Sequence, residues 1–282
     1  MSSMSVTVRA RAPSSVTTAF APASAGGGGI SLATEAGVVA AVTPVEGDEA
    51  RVLLDGEPTA FEPVRIALER LDVTARVALN AAVPVGRGFG ASGAATLSTV
   101  LAADAALDLG RDRTALVEVA AAAERAAGTG QSDVYVQDTG GLAYDVGEGR
   151  GRRERTDRLG YASFGGVSTA AVLDDEATTR RIGRASRTAF ERFDPAAPLT
   201  ALLDAGWGFA RETGLPSERV REAVEVVREA GGAATMAMVG ETVVTTPDAP
   251  LSAPVFDEAV TGHTQVGTRG AGLLDRAESK GC

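Results

Sequence analysis

The stretch Pro84-Val-Gly-Arg-Gly-Phe-Gly-Ala-Ser-Gly-Ala-Ala95 gathers the residue types best suited to holding an anion. Its glycines let backbone N–H groups approach a phosphate closely, a helix opening near Ala91 would add the positive end of its dipole, and Ser92 offers a hydroxyl to a phosphate or Mg2+. Gly88 to Gly93 also satisfies G-x-G-x-x-G, by itself a weak dinucleotide signal. A dinucleotide fold needs a second parallel strand after the helix, ending in an acidic residue about 20 positions on; here Gly110 and a second helical pattern follow. A Walker-type loop needs a lysine before its Ser or Thr, and Lys280 is the only lysine of the chain. A tight strand-to-helix turn with no ligand would use the same glycines. Arg87 reads first as a solvated side chain in an exposed turn, with a cation beside a transferred phosphate as the alternative.

Composition narrows the chemistry. The chain has 282 residues, one cysteine (Cys282) and one histidine (His263), which excludes thiolate or imidazole metal cages and leaves little room for Cys-His or Ser-His catalysis. A metal here would be hard and oxygen-bound, Mg2+ being the natural candidate. A formal net charge of -10 argues against a nucleic-acid partner. With arginine in place of lysine everywhere but at Lys280, it fits a GC-rich genome together with the acidic, salt-tolerant surface of halophiles. No stretch reaches the roughly 18 uninterrupted apolar residues of a membrane span, and the first residues lack an apolar core of a leader, so a cytoplasmic location is expected. A homodimer is compatible with such a surface.

The loop needs a strand before it and a helix after it. Residues 74–83 alternate and are β-branched enough for that strand, ended by Pro84, and 92–109 form a helix apolar enough to require burial, stopped by Gly110. A further helix is expected at 113–127, ending at Gly128, and 134–146 reads as extended chain broken at Gly140-Gly141. Upstream, residues 1–16 read as frayed. Extended pieces follow at 17–22, 30–32, 37–42 and 51–54 in an antiparallel pattern, then a helix at 61–71 from the spacing of Val64, Ala67, Leu68 and Leu71. Residues 147–158, with glycines and five arginines, read as a polar linker or hairpin. The division is thus a frayed N-terminus at 1–16, an N-terminal lobe at 17–150 and a C-terminal lobe at 151–282. In the latter a strand is expected at 167–173, helices at 176–193, 198–213 and 216–230, a hairpin at 235–245 turning at Gly240-Glu241, and mixed strand and turn at 254–274.

The pattern Pro84, Gly86, Gly88, Phe89, Gly90, Ser92, Gly93, Ala94 resembles the phosphate loop of GHMP kinases, and its Gly-Phe-Gly-x-Ser-Gly-Ala form is similar to that of archaeal pantoate kinases. Downstream, Ala121-Ala-Ala-Glu-Arg-Ala-Ala-Gly-Thr-Gly-Gln-Ser-Asp-Val134 looks like the family segment in which a helix glutamate binds Mg2+ and an aspartate after a glycine turn acts on the substrate hydroxyl. By position these are Glu124 and Asp133. The resemblance implies an α+β, two-lobed GHMP kinase fold, with a ribosomal-protein-S5-domain-2-like N-terminal lobe and a ferredoxin-like C-terminal lobe. It implies ATP on Pro84, Gly86, Gly88, Gly90, Ala91, Ser92, Gly93 and Ala94, Mg2+ on Ser92 and Glu124, and Asp133 as the catalytic base.

Phosphoryl transfer needs charge neutralisation by a metal and a carboxylate near the attacking hydroxyl, in agreement with those roles. By residue type alone, Asp133 is also an ordinary turn residue and Glu124 an ordinary helix-surface glutamate beside Arg125. Residues 231–244 resemble a pantoate kinase segment that closes the site, placing Ala237 and Gly240 nearby; a buried hairpin explains them equally. Trp207 and His263 read as structural. The implied acceptor is a small hydroxy acid, pantoate phosphorylated toward coenzyme A, with another alcohol or sugar, or a non-catalytic nucleotide-binding paralogue, as alternatives. One departure touches that acceptor: Ala19-Phe-Ala-Pro22 runs directly into Ala23-Ser-Ala-Gly-Gly-Gly-Gly29, where pantoate kinases carry an intervening His-x-Thr-containing segment.

Overall fold

A long antiparallel pair carries the first half of the chain. In the computed structural model, which describes residues 6–47, 51–130, 133–147 and 149–274, β1 (Val8–Phe20) and β2 (Gly29–Pro44) are followed by β3 (Arg51–Leu54), β4 (Glu57–Pro58), α1 (Glu62–Leu71) and β5 (Ala75–Ala81). Then come α2 (Ala91–Leu107), α3 (Arg113–Ala127), α4 (Asp133–Thr139), β6 (Leu142–Asp145) and β7 (Arg150–Arg153). The second half runs β8 (Arg158–Gly166), α5 (Thr169–Asp174), α6 (Glu176–Glu191), α7 (Leu199–Thr213), α8 (Glu218–Glu229), β9 (Ala234–Met236), β10 (Gly240–Thr245), β11 (Val260–Gln265) and β12 (Gly272–Leu273). One sheet has the order β12-β1-β2-β5-β3-β4, with β6 and β7 attached along β2; the other is β11-β8-β10-β9. All pairings are antiparallel except β3 with β5. This is an α+β fold with two sheets, as expected. Among the described residues no helix is long and apolar enough to cross a membrane.

Several expectations need correction. Val8–Val16 is not frayed: it is the first part of β1, with Val8, Ala10 and Ala12 buried between Arg9 and Arg11, a period-two pattern in small residues. Residues 1–5 of that expected segment lie outside the described residues, as does Cys282. The pieces at 30–32 and 37–42 are one strand, β2; Gly37 is there because a Cβ would lie 2.8 Å from the Pro13 Cα of β1, a close approach of backbones and no break. Residues 134–139 are helical, belonging to α4, with Val134, Val136 and Gln137 turned inward. The expected strand at 167–173 is the short helix α5, capped by Ser168, whose side chain accepts from the Ala171 N–H. The strand of that region is β8. The segment at 147–158, expected as a polar linker or hairpin, carries β7, which pairs antiparallel with β6 in the first sheet, so of the two readings the hairpin holds; the chain leaves that sheet after Arg153 and returns to it in β12. The late hairpin turns through Ala237–Val239, ahead of Gly240.

Helix α2 lies against β1 and β2. Its side chains from Ala94 to Ala103 are buried all round, which is why its sequence shows no polar face. Helix α7 ties the halves together by packing on both β9 and β1. At that crossing Gly206 leaves room that a Cβ, 2.9 Å from Thr235 Oγ1 and 3.0 Å from Thr18 Cβ, would fill. Trp207 is buried in the same helix, and His263 sits on β11 with a ring nitrogen 3.2 Å from the Pro247 carbonyl.

Candidate active site

The loop from β5 into α2 is held by three separate parts of the chain. The Phe89 carbonyl accepts from the Ser15 N–H of β1 at 2.8 Å, the Gly90 carbonyl from Gln137 Nε2 of α4 at 2.6 Å, and the Arg87 carbonyl from Thr242 Oγ1 of β10 at 2.6 Å. Gly88 and Gly90 have φ of 90° and 59°, the left-handed region that glycine enters without strain. Both are also crowded: a Cβ on Gly88 would stand 2.8 Å from the Ala237 carbonyl, and one on Gly90 would run into Ser15 and stand 2.9 Å from Gln137 Nε2. Ala237 and Gly240 therefore sit against the loop itself. Arg87 is half-buried, with Nη1 3.5 Å from the Ser163 carbonyl.

Helix α2 starts with no side-chain cap and no acidic residue in its first turn. Its first intrahelical bond is from the Ala94 N–H to the Gly90 carbonyl, at 3.1 Å. The preceding N–H groups of Ala91, Ser92 and Gly93 are thus left as donors for an anion, at the positive end of a 17-residue helix.

Glu124 comes up beside this helix start from the last turn of α3, 3 % exposed. Its Oε1 accepts from Ser92 at 3.0 Å and Thr96 at 2.6 Å; its Oε2 accepts from Thr129 at 2.8 Å. It is no surface glutamate: the turn Gly128-Thr-Gly130 folds back over it, with the Thr129 N–H bonded to the Glu124 carbonyl. Burial raises its pKa, against the pull of the three hydroxyl donors, and the charge of Asp133 raises it further. Asp133 opens α4, and its Oδ1 accepts from Thr17 at 3.0 Å and Ser15 at 3.2 Å, both on β1. Its pKa too is raised, by burial first, with Thr17 and Ser15 opposing. A Cβ on Gly130 would lie 3.6 Å from Glu124 Oε2 and 3.8 Å from Asp133 Oδ2, so the two carboxylates face one small space beyond the glycine turn.

Those oxygens suit a hard cation. Ser92 Oγ and Glu124 Oε1 are 3.0 Å apart, close to the roughly 2.9 Å between neighbouring oxygens around an octahedral Mg2+ with bonds of about 2.05 Å. Among the described residues no three His, Cys, Asp or Glu side chains gather at one point, so such an ion would take its other ligands from phosphate and water.

On the far side of Asp133 lies an open cavity of about 650 Å³, walled by Thr17, the glycine turn at 26–29, Tyr135, Tyr144, Met238 and Val239. Four arginines also reach it: Arg113, Arg125, Arg150 and Arg152. Arg113 is engaged by Asp138 and the Ala271 carbonyl, and Arg152 by the carbonyls of Thr139, Gly140 and Thr268. Arg150 is held more loosely, 3.8 Å above the Tyr135 ring and 3.9 Å from Asp145 Oδ2.

Residues 60–141 match the family model described as the GHMP kinases N terminal domain. Over these residues the chain is similar to that domain. The glycine loop, Glu124 and Asp133 all fall inside it. A search of curated protein sequences finds no match. Among solved structures, the chain is similar to a phosphotransferase related to the CoA biosynthesis pathway, with a TM-score of 0.79 at 20% identity over 97% of this chain and 100% of the other. It is similar to homoserine kinase from Cytophaga hutchinsonii, with a TM-score of 0.64 at 14% identity over 97% and 99%. For mevalonate pyrophosphate decarboxylase from Streptococcus pyogenes the values are 0.71 and 12% over 94% and 98%. At these identities the likeness is one of fold, and it covers the chain well beyond the matched domain.

The structure brings together Gly88, Gly90, Ala91, Ser92, Gly93, Glu124 and Asp133; Pro84 and Gly86 lie at the outer end of the loop and Ala94 just inside the helix. Sequence reasoning missed Ser15 and Thr17, which sit in the part of the chain read as frayed or at its edge. It also missed Thr96, Thr129 and the fully buried Gln137, whose only signal is a polar residue on an otherwise inward-facing side of α4.

Proposed function

We propose that this protein is an ATP-dependent small-molecule kinase that phosphorylates the primary hydroxyl of pantoate, giving 4-phosphopantoate on the way to coenzyme A. The observation that carries the reading is the position of Asp133, set between the phosphate-ready start of α2 and an open, arginine-bearing cavity. In this reading the loop from Pro84 and the N–H groups of Ala91, Ser92 and Gly93 hold the donor phosphates. Glu124 and Ser92 hold Mg2+, which supplies charge neutralisation on those phosphates.

The acceptor hydroxyl enters from the cavity side and gives its proton to Asp133. Its oxygen forms the bond to the γ-phosphorus as the bond from that phosphorus to the bridging oxygen breaks, and ADP leaves. Burial tunes Asp133 for this, since a carboxylate with a raised pKa is a stronger base than a solvated one. Thr17 and Ser15 hold Oδ1, which leaves Oδ2 for the proton. Arginines on the cavity wall suit a substrate carboxylate. Pantoate is further supported by the Gly-Phe-Gly-x-Ser-Gly-Ala loop and by the fold likeness to the phosphotransferase related to CoA biosynthesis.

The breadth of the cavity favours a second reading, in which the acceptor is a larger alcohol. Screening ADP release with Mg-ATP and a panel of pantoate, homoserine, mevalonate and simple sugars separates the two. Turnover fastest on pantoate is expected; turnover on another panel member alone rejects pantoate, and ATP binding with no turnover on any acceptor rejects the kinase reading.

A further inference from the structure

Helix α6 carries four arginines, Arg180, Arg181, Arg184 and Arg187, which line a second cavity of about 610 Å³ together with Ser24 and Ala25. Three of them recur at i, i+4 and i+7 and so share one face, spanning about 10 Å at a rise of about 1.5 Å per residue. Like charges at this spacing repel. A merely solvated helix face would relieve the repulsion with interspersed carboxylates; between Glu176 at the start of the helix and Glu191 at its end there is none, and among the described residues no acidic side chain lines the cavity, in a chain with a net charge of -10. Arg180 pairs with exposed Glu176 at 3.1 Å, and Arg181 donates to the Thr213 carbonyl at 3.0 Å and to Thr178 Oγ1 at 2.6 Å. Arg184 and Arg187 are exposed and have no hydrogen bond, ion pair or ring contact among the described residues.

The opposite wall is the turn that departs from the family pattern. Ser24 and Ala25 face the arginines, while Ala23 and the glycines at 26–29 line the cavity next to Asp133, so one turn separates the two cavities. Helix α6 is packed tightly on it. A Cβ on Gly183 would lie 2.9 Å from Ala25 Cβ, and one on Gly28 would lie 3.5 Å from the Phe190 ring.

We propose that the α6 groove binds a small polyanion bearing adjacent phosphates, and that its occupation changes acceptor binding through the turn at 23–29. Guanidinium forks match phosphate oxygens in pairs, three of them along about 10 Å of one face, with Arg184 and Arg187 unengaged, call for more than one phosphate, and the volume is that of a small-molecule site. The binding half stands apart from the kinase reading; the coupling half rests on it.

The test is a calorimetric titration of inorganic tripolyphosphate into full-length protein already saturated with magnesium and a non-hydrolysable ATP analogue, which fills the phosphate loop. One further site is expected. It weakens at least tenfold in R184Q/R187Q and persists in R70Q/R76Q, which removes the same charge from exposed positions on α1 and β5. Absence of the site in the parent, or equal weakening in both double variants, overturns the proposal; citrate binding as tightly as tripolyphosphate overturns the phosphate assignment. At saturating Mg-ATP, tripolyphosphate should shift the acceptor KM at least threefold in the parent and not in R184Q/R187Q. Binding with an unchanged KM overturns the coupling.

Discussion

The two sides of Asp133 are built by different means. On the proposed donor side, the chain closes tightly on the loop: glycines at 88 and 240 let backbone meet backbone, those at 90 and 93 let Ser15 and Gln137 come closer than a Cβ permits, and three carbonyls of the loop each have a fixed donor. On the proposed acceptor side, an open cavity is walled by side chains from β1, α3, α4 and β7 and by the small residues of the turn at 23–29. A phosphate chain presents the same oxygens in every turnover, so its cradle can be fixed by main-chain geometry. An acceptor is recognised by its own substituents, which only side chains can match.

The comparison is put at most risk by the residue between the two sides. Replacing Asp133 with Asn keeps the shape and removes the proposed base, so kcat should fall by about 10² to 10⁴, with the KM for ATP nearly unchanged; a steady-state assay with each substrate varied reads both. A large rise in the ATP KM instead would mean that Asp133 belongs to the donor cradle. Next in size is Gly90→Ala. The new methyl meets Ser15 and Gln137 and forces a left-handed φ on alanine, which should cost about 1–3 kcal/mol in denaturant unfolding and raise the KM for ATP and not that for the acceptor.

The donor side was the more legible of the two for the same reason. Glycines forced by close approach are visible as letters, and the order of loop, Glu124 and Asp133 lies within one stretch of sequence. The helices from α1 to α3 and α6 to α8 were readable from apolar spacing and end glycines. Val8–Val16 was not, because alanine, serine and arginine carry weak strand preference and the segment is ordered by pairing with β2. α4 was misread because its seven residues include β-branched valines and precede two glycines; its helicity comes from docking Val134, Val136 and Gln137 against the rest of the lobe. The acceptor walls were invisible for a different cause. Arg150 lies in what reads as a polar linker or hairpin, and nothing local says that such a hairpin lines the same cavity as Asp133.

Arg150 offers the next test of that side. Arg150→Gln should raise the acceptor KM by about tenfold, the scale of one charge-assisted hydrogen bond near the surface, and leave the ATP KM alone. Repeating the measurement with an acceptor whose carboxylate is replaced by an amide should erase most of the difference between parent and variant. An equal loss with both acceptors would assign Arg150 to holding Tyr135 in place, with no part in reading charge.

The smallest expected effect concerns Glu124, and its sign separates a built metal site from a structural carboxylate. Burial raises the Glu124 pKa in the folded protein, so between the ordinary carboxylate value and the raised one the folded state holds more protons than the unfolded. Stability therefore falls as pH rises through that window, and the full penalty applies above it. Asp133 adds a slope of the same sign. Glu124→Gln removes only the Glu124 share, so without metal the variant should lose less melting temperature than the parent between about pH 4 and neutrality, the lower limit being the unperturbed carboxylate value. Mg2+ with an ATP analogue should then raise the melting point of the parent much more than that of the variant, because binding to the folded state alone is what stabilises. A variant that melts with the parent's pH slope and gains as much from Mg2+ would mean that the hydroxyls of Ser92, Thr96 and Thr129 fully satisfy Glu124, and that the cation is held by the phosphates alone.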